Sequence, residues 1–182
     1  MRLFGNSVLF IMGLSLKILS AVNRFQVNRF SGNDFLRLIA SGFGIGRIPV
    51  APGTAGSLLA LPLWYLGGGW GAAHFLLLAA VVGASVPAAR AAIEKAGTKD
   101  PSWVVIDEVA GMLLAATGIP WEWPAVAVLF LLFRLFDIFK FGPAAWMDAR
   151  RDALGVVADD LAAGIYANVS YRALRWLIAA WA

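Results

Sequence analysis

The chain has 182 residues, of which 60% are hydrophobic and only 14% charged, whereas a soluble domain carries roughly 25% charged residues, so the composition is that of one membrane-associated domain. It has no cysteine and a single histidine, His74, which excludes disulfides, thiolate metal sites and cysteine nucleophiles and leaves little for a serine-histidine triad. The net charge of +4 does not point to nucleic acid, because the basic residues flank apolar segments instead of alternating with base-stacking aromatics.

Residues 1–47 hold six of the fifteen Lys and Arg (Arg2, Lys17, Arg24, Arg29, Arg37, Arg47) against one acid, Asp34. A basic flank ahead of a long apolar stretch is the positive-inside pattern and suits anionic headgroups, so this end is expected in the cytoplasm. Residues 7–22 look like a signal-peptide core, but Lys17 interrupts them and Ala21-Val22-Asn23-Arg24 is a poor cleavage site. Residues 1–35 are read as a basic extension, an interfacial helix, ahead of a single domain over 36–182.

Residues 48–89 contain no Asp, Glu, Lys or Arg, enough for two passes of about 20 residues each. Pro49, Pro52 and Pro62 predict a short or broken first pass, and Gly67-Gly68-Gly69-Trp70 a turn with an aromatic anchor. Residues 71–89 make a better helix, with His74 lining or capping it, and 90–103 are a polar connection. Residues 103–117 are apolar apart from Asp107 and Glu108 and stop at Gly118-Ile119-Pro120, after which Trp121, Glu122 and Trp123 form an interfacial turn. From 124 to 141 the chain is apolar except for Arg134, Asp137 and Lys140, whose i, i+3, i+6 spacing puts them on one helical face. A polar loop with Asp148, Arg150, Arg151 and Asp152 follows. Asp159-Asp160 then precede a last apolar helix over 161–181, in which Arg172 and Arg175 are expected to snorkel. The expected fold is all-α: a small helical membrane protein with about four to five membrane-embedded or interfacial helices and one broken segment.

Counting passes from a cytoplasmic N-terminus places Asp107-Glu108, Asp137 and Asp159-Asp160 on one membrane face. Taken alone, Asp107-Glu108 fits the start of a helix equally well, since the helix dipole favours acids there. Five carboxylates together, without histidine or cysteine, form a hard oxygen-ligand set suited to magnesium, which takes one or two carboxylates plus substrate phosphate. Arg134 and Lys140 beside them offer cationic partners for that phosphate. A purely structural ion-pair network would not explain the excess of acids. Pro52-Gly53-Thr54-Ala55-Gly56-Ser57 runs as a Gly/Ser/Thr loop into a helix from Leu58, an anion-site pattern that lacks the lysine of a Walker A loop. Small residues at Gly111, Ala115, Gly164 and Ala167 allow helices to approach closely enough to share ligands.

Four segments together resemble the phosphatidylglycerophosphatase A family of bacterial membrane phosphatases. They are Pro52-Gly53-Thr54-Ala55-Gly56-Ser57-Leu58 with Pro62; Asp107-Glu108 with Gly111-Met112; Phe133-Arg134 with Asp137 and Lys140; and Gly155 with Asp159-Asp160 and Ala163-Gly164. Order and approximate spacing agree from about Leu38 to Ala167. Where the family has Lys-Pro-x-Pro, this chain has Lys140-Phe141-Gly142-Pro143. The resemblance implies magnesium-dependent hydrolysis of phosphatidylglycerophosphate to phosphatidylglycerol and phosphate, in phospholipid synthesis at the cytoplasmic (inner) membrane, with the active site facing the cytoplasm.

On that reading the partners are a phospholipid substrate and the bilayer, and water attacks a phosphate monoester without a covalent intermediate. Asp107, Glu108, Asp159 and Asp160 are the expected metal ligands, with Glu108 the preferred base if one is needed and Asp137 completing that shell or holding Arg134. Arg134 and Lys140 are expected to stabilise charge on the phosphoryl group, and Gly53, Thr54, Gly56 and Ser57 to bind its oxygens. The competing reading is a small transporter or ion-coupling protein, because intramembrane carboxylates also mark ion pathways.

Overall fold

The computed structural model describes residues 32–150 and 152–181; the expected interfacial helix within residues 1–35 lies largely outside them. Seven helices and one 3₁₀ turn make up the described residues, with no strand among them: α1 (Gly32–Ala40), the turn Ile45–Arg47, α2 (Pro52–Gly67), α3 (Gly71–Ala96), α4 (Ile106–Ala115), α5 (Trp123–Phe139), α6 (Pro143–Asp148) and α7 (Ala153–Trp181). The all-α expectation holds.

The hub is a short helix. At ten residues α4 is about 15 Å long, yet it is buried at Ile106, Asp107, Val109, Ala110, Gly111, Met112, Leu113 and Ala115, because α2, α3, α5 and α7 all pack on it. An apolar helix enclosed all round needs small residues where its neighbours cross. A Cβ on Gly111 would lie 2.5 Å from the carbonyl oxygen of Asp160 and 2.7 Å from Cε2 of Phe133, and one on Gly164 would collide with the backbone of Gly111. The α4–α7 crossing is therefore backbone on backbone.

The C-terminal carbonyls of α4, unsatisfied within the helix, are capped from α7. Asn168 Nδ2 donates to the carbonyls of Ala115 and Thr117, each at 2.7 Å, and Arg172 Nη2 donates to that of Thr117 at 3.0 Å. Arg172, expected to snorkel, is thus used as a helix cap. The same end is closed by Trp64, whose indole donates to the Ile119 carbonyl at 3.1 Å and stacks edge-on with Trp121. His74 lies fully buried there, its Nε2 3.1 Å from Thr117 Oγ1, the lining role expected of it.

Two stretches differ from expectation. Pro62 does not break the first pass: α2 runs unbroken from Pro52 to Gly67, and the proline sits inside it on an exposed face. The irregular backbone comes earlier, in the 3₁₀ turn and at Ala51, a non-glycine residue at φ 49°. The last helix begins at Ala153, so Asp159 and Asp160 lie in its second turn instead of ahead of it; Asp152 Oδ1 accepts the Gly155 N–H at 2.9 Å and caps the start.

α3 is the one helix among the described residues long and apolar enough to cross a membrane. Large apolar side chains are nevertheless exposed on other helices too, among them Leu66, Leu131, Ile138, Ile165 and Leu177, more than a water-facing surface normally carries in contiguous patches.

Candidate active site

Four helices converge on one cluster at the N-terminal end of α4. Asp107 and Glu108 occupy the first turn of that helix, where the dipole favours negative charge, and the Glu108 N–H donates to Asp107 Oδ1 at 3.2 Å. Across the Gly111–Gly164 crossing, α7 brings in Asp160. Asp107, Glu108 and Asp160 each place a carboxylate oxygen within 4.8 Å of the others, and Asp107 and Asp160 are only 4% exposed. Three ionised carboxylates at that separation repel one another by several kcal/mol at an effective protein dielectric. Glu108 Oε2 is moreover buried with no hydrogen-bond partner. A trio of buried oxygens, one of them unsatisfied, is the donor set a hard divalent cation fits.

Arg134 of α5 closes one side. Its Nη1 pairs with Asp137 Oδ2 at 2.5 Å and donates to Ser57 Oγ at 3.3 Å, while its Nε is buried without a partner. Asp137 lies within electrostatic reach of Glu108 and Asp160. The segment read as a loop ahead of a helix at Leu58 is itself the first turn and a half of α2, started by Pro52 at the position where a missing N–H costs nothing. Its glycines serve close approach: a Cβ on Gly53 would collide with Glu108 Oε1 and come within 3.2 Å of the Arg134 guanidinium, and one on Gly56 would press on Val105 at 2.7 Å. Ser57 is fully buried and donates its hydroxyl to the Gly53 carbonyl at 2.9 Å, so its oxygen is aligned toward Arg134. Thr54 is half-buried in the same turn; the Ala55 N–H donates to the Ala51 carbonyl at 3.1 Å, and those of Gly53 and Thr54 come too early to have a carbonyl partner within the helix.

Lys140 closes the other side. It is the C-cap of α5, with φ 45° and ψ 68°, a left-handed conformation that costs a non-glycine residue about 1–2 kcal/mol. Two ion pairs hold it there: Nζ lies 2.5 Å from Asp159 Oδ2 and 2.9 Å from Asp148 Oδ1. Burial disfavours its charge, but the hydrogen bonds it donates to Asp159 and Asp148 prevail and raise its pKa above the ordinary lysine value. The Lys140 hydrogen bond correspondingly holds the Asp148 carboxyl below its ordinary value.

The structure thus brings together Gly53, Gly56, Ser57, Asp107, Glu108, Arg134, Asp137 and Asp160. Asp159, read as a fourth metal ligand, points to Lys140 instead of joining the trio, although Asp107 remains within its electrostatic reach. Asp148 and Lys99, which donates to the Asp148 carbonyl, carried no site assignment from the sequence; an acid eight residues beyond Lys140 has no spacing rule to mark it.

Comparison with known proteins points to one family. The family model for phosphatidylglycerophosphatase A matches residues 38–175. The chain is 38% identical over 157 residues to a Bacteroides thetaiotaomicron protein provisionally named phosphatidylinositol-3-phosphatase, covering 78% of this chain and 94% of that one. It is 34% identical over 134 residues to phosphatidylglycerophosphatase A of Escherichia coli (strain K12), covering 70% and 76% of the two chains. With phosphatidylglycerophosphatase A of Haemophilus influenzae it shares 33% over 152 residues, covering 79% and 91%. No solved structure matches the chain.

Proposed function

The chain belongs to the phosphatidylglycerophosphatase A family, and on that premise we propose that it hydrolyses the terminal phosphate monoester of phosphatidylglycerophosphate, in phospholipid synthesis, with magnesium held by Asp107, Glu108 and Asp160. The observation that carries the metal assignment is the buried carboxylate trio with its unpartnered Glu108 oxygen. Bound there, magnesium would supply Lewis-acid stabilisation of phosphate oxygens and lower the pKa of an attacking water.

The remaining work falls to the chain. Glu108, which would hold the metal through one carboxylate oxygen, takes the proton of the attacking water on the other and returns it to the departing glycerol oxygen as the new P–O bond forms and the ester P–O bond breaks. Arg134, fixed by Asp137 and Ser57, offers its guanidinium to the phosphoryl oxygens. The N–H groups of Gly53 and Thr54 in the first turn of α2, with the Thr54 hydroxyl, bind the same oxygens at a helix N-terminus. Asp159 and Asp148 orient Lys140 and keep it charged. The phospholipid's acyl chains stay in the bilayer, against the exposed apolar side chains of α3, α5 and α7. The basic bias of residues 1–47 supports a site at the cytoplasmic face of the inner membrane.

Phosphate release by the purified protein in detergent is expected with magnesium, to stop on chelation, and to fall at least 100-fold in Asp107→Ala and Asp160→Ala. Unchanged release from either folded variant would overturn this site, and release unaffected by chelation would overturn the metal.

A further inference from the structure

We propose that a cavity beside the first turn of α2 seats the phosphodiester of the lipid substrate, with Arg47 as its cationic partner. The inference rests on the phosphatase reading above and names what that site recognises besides the monoester it cuts.

The cavity is about 620 Å³ and is lined by Arg47, Ile48, Pro49, Pro52, Ser102 and Trp103, a volume typical of ligand sites. It adjoins the carboxylate cluster through one residue: Pro52 lines it, and the next residue, Gly53, packs on Glu108 and Arg134. Its floor is tied to the same helix start. Gly46 rests against the Trp103 carbonyl and the Val105 side chain, Val105 is fully buried, and the Val105 N–H donates to the Ala40 carbonyl at 2.8 Å. The left-handed backbone at Ala51 lets residues 46–49 and Pro52 wall the same space.

The charges divide accordingly. Arg134 is engaged by Asp137 and Ser57, and Lys140 by Asp148 and Asp159. Arg47 is exposed, and no carboxylate among the described residues lies within ion-pair distance of it. An arginine without an acid partner that lines a cavity together with a serine, Ser102, is suited to a second phosphate. Ile48, in its lining, is exposed, as is Val50 two residues on, giving this stretch the apolar character a headgroup site needs where it meets acyl chains. Phosphatidylglycerophosphate and phosphatidylinositol 3-phosphate share this chemistry, a diester near the glycerol backbone and a monoester further out on the headgroup.

The test is steady-state hydrolysis of phosphatidylglycerophosphate by wild type, Arg47→Ala and Arg47→Lys, with soluble glycerophosphoglycerol, a diester without a monoester, as competitor. Arg47→Ala is expected to raise KM by about 10- to 100-fold, the span for losing a hydrogen bond to a charged group, with kcat retained because the contact is made equally before and during reaction. The inhibition constant of glycerophosphoglycerol should rise by a similar factor, and Arg47→Lys should recover part of both. Unchanged KM and inhibition constant in Arg47→Ala, or a fall in kcat at constant KM, overturns the proposal. Wild type silent on phosphatidylglycerophosphate would instead overturn the reaction assigned above, and the diester seat with it. Running phosphatidylinositol 3-phosphate alongside shows which headgroup Arg47 favours.

Discussion

Gly111→Ala tests whether the α4–α7 crossing sets the metal site. The new Cβ would stand 2.5 Å from the Asp160 carbonyl and 2.7 Å from the Phe133 ring, against 3.4 Å for ordinary contact. The ring is part of the buried core and the carbonyl is backbone, so neither yields by a simple rotation. The Asp160 backbone must recede by nearly an ångström, and it carries one of the three clustered carboxylates with it. Overpacking of this kind costs about 1–3 kcal/mol, and an ångström of misplacement in a reacting site costs on the order of 100-fold in rate. Phosphate release at saturating magnesium and thermal unfolding in detergent, measured on the same preparation, should show kcat down by about that factor with a modest loss of stability. Gly83→Ala is the control. A Cβ there meets nothing within 4 Å, so activity should be unchanged and the α3 helix should gain about 0.5–1 kcal/mol. Gly111→Ala with wild-type kcat and melting temperature would show that the crossing does not position the carboxylates.

Arg134→Lys keeps the charge that Nη1 presents to Asp137 and Ser57 but loses the planar guanidinium that can hold a phosphoryl group through two nitrogens; kcat should fall by about 100- to 1,000-fold, and a loss under threefold would remove Arg134 from the reaction. The Lys140–Asp148 pair predicts a pH dependence of stability. Because the Asp148 carboxyl is held below its ordinary 3.8, its contribution is present above that value and fades as pH falls through the lower folded one. Because Lys140 is raised above its ordinary 10.5, its share is complete below that value and disappears only in stronger alkali. Asp148→Asn should therefore lower the melting temperature at pH 7 and narrow its gap to wild type in acid; a gap independent of pH down to 3 would refute the pairing.

Much of the site was legible before any folding. An ionised group in an apolar segment is costly, so Asp107-Glu108, Arg134 with Asp137, and Asp159-Asp160 stood out against their surroundings without knowledge of their contacts. Hydropathy and breaker residues located α3, α4, α5 and α7, with the ends of α3 and α7 several residues off, because burial and backbone restriction act locally; the short helix α6 (Pro143–Asp148) was missed, since its polar surroundings read as a loop. Pro62 misled for a local reason as well: a proline penalises a helix by its own lost hydrogen bond, and here a continuous α2 forms despite it.

Which charges meet which is another matter, since an ion pair depends on where two helices cross. Spacing put Arg134, Asp137 and Lys140 on one face, but α5 ends at Phe139 and the left-handed turn at Lys140 swings its ammonium to Asp148 and Asp159. That turn separates Asp159 from its neighbour Asp160, which the Gly111–Gly164 contact delivers to Asp107 and Glu108. Adjacent residues on a helix point about 100° apart; at the start of α4 Asp107 and Glu108 still bring their carboxylate oxygens together, whereas on α7 Asp160 joins them and Asp159 turns to Lys140. The sequence by itself determined the helical class, the acid-rich chemistry and the small residues that permit close crossing. Only the tertiary structure decided which carboxylates share a centre, because that choice is made by backbone contacts between segments some fifty residues apart.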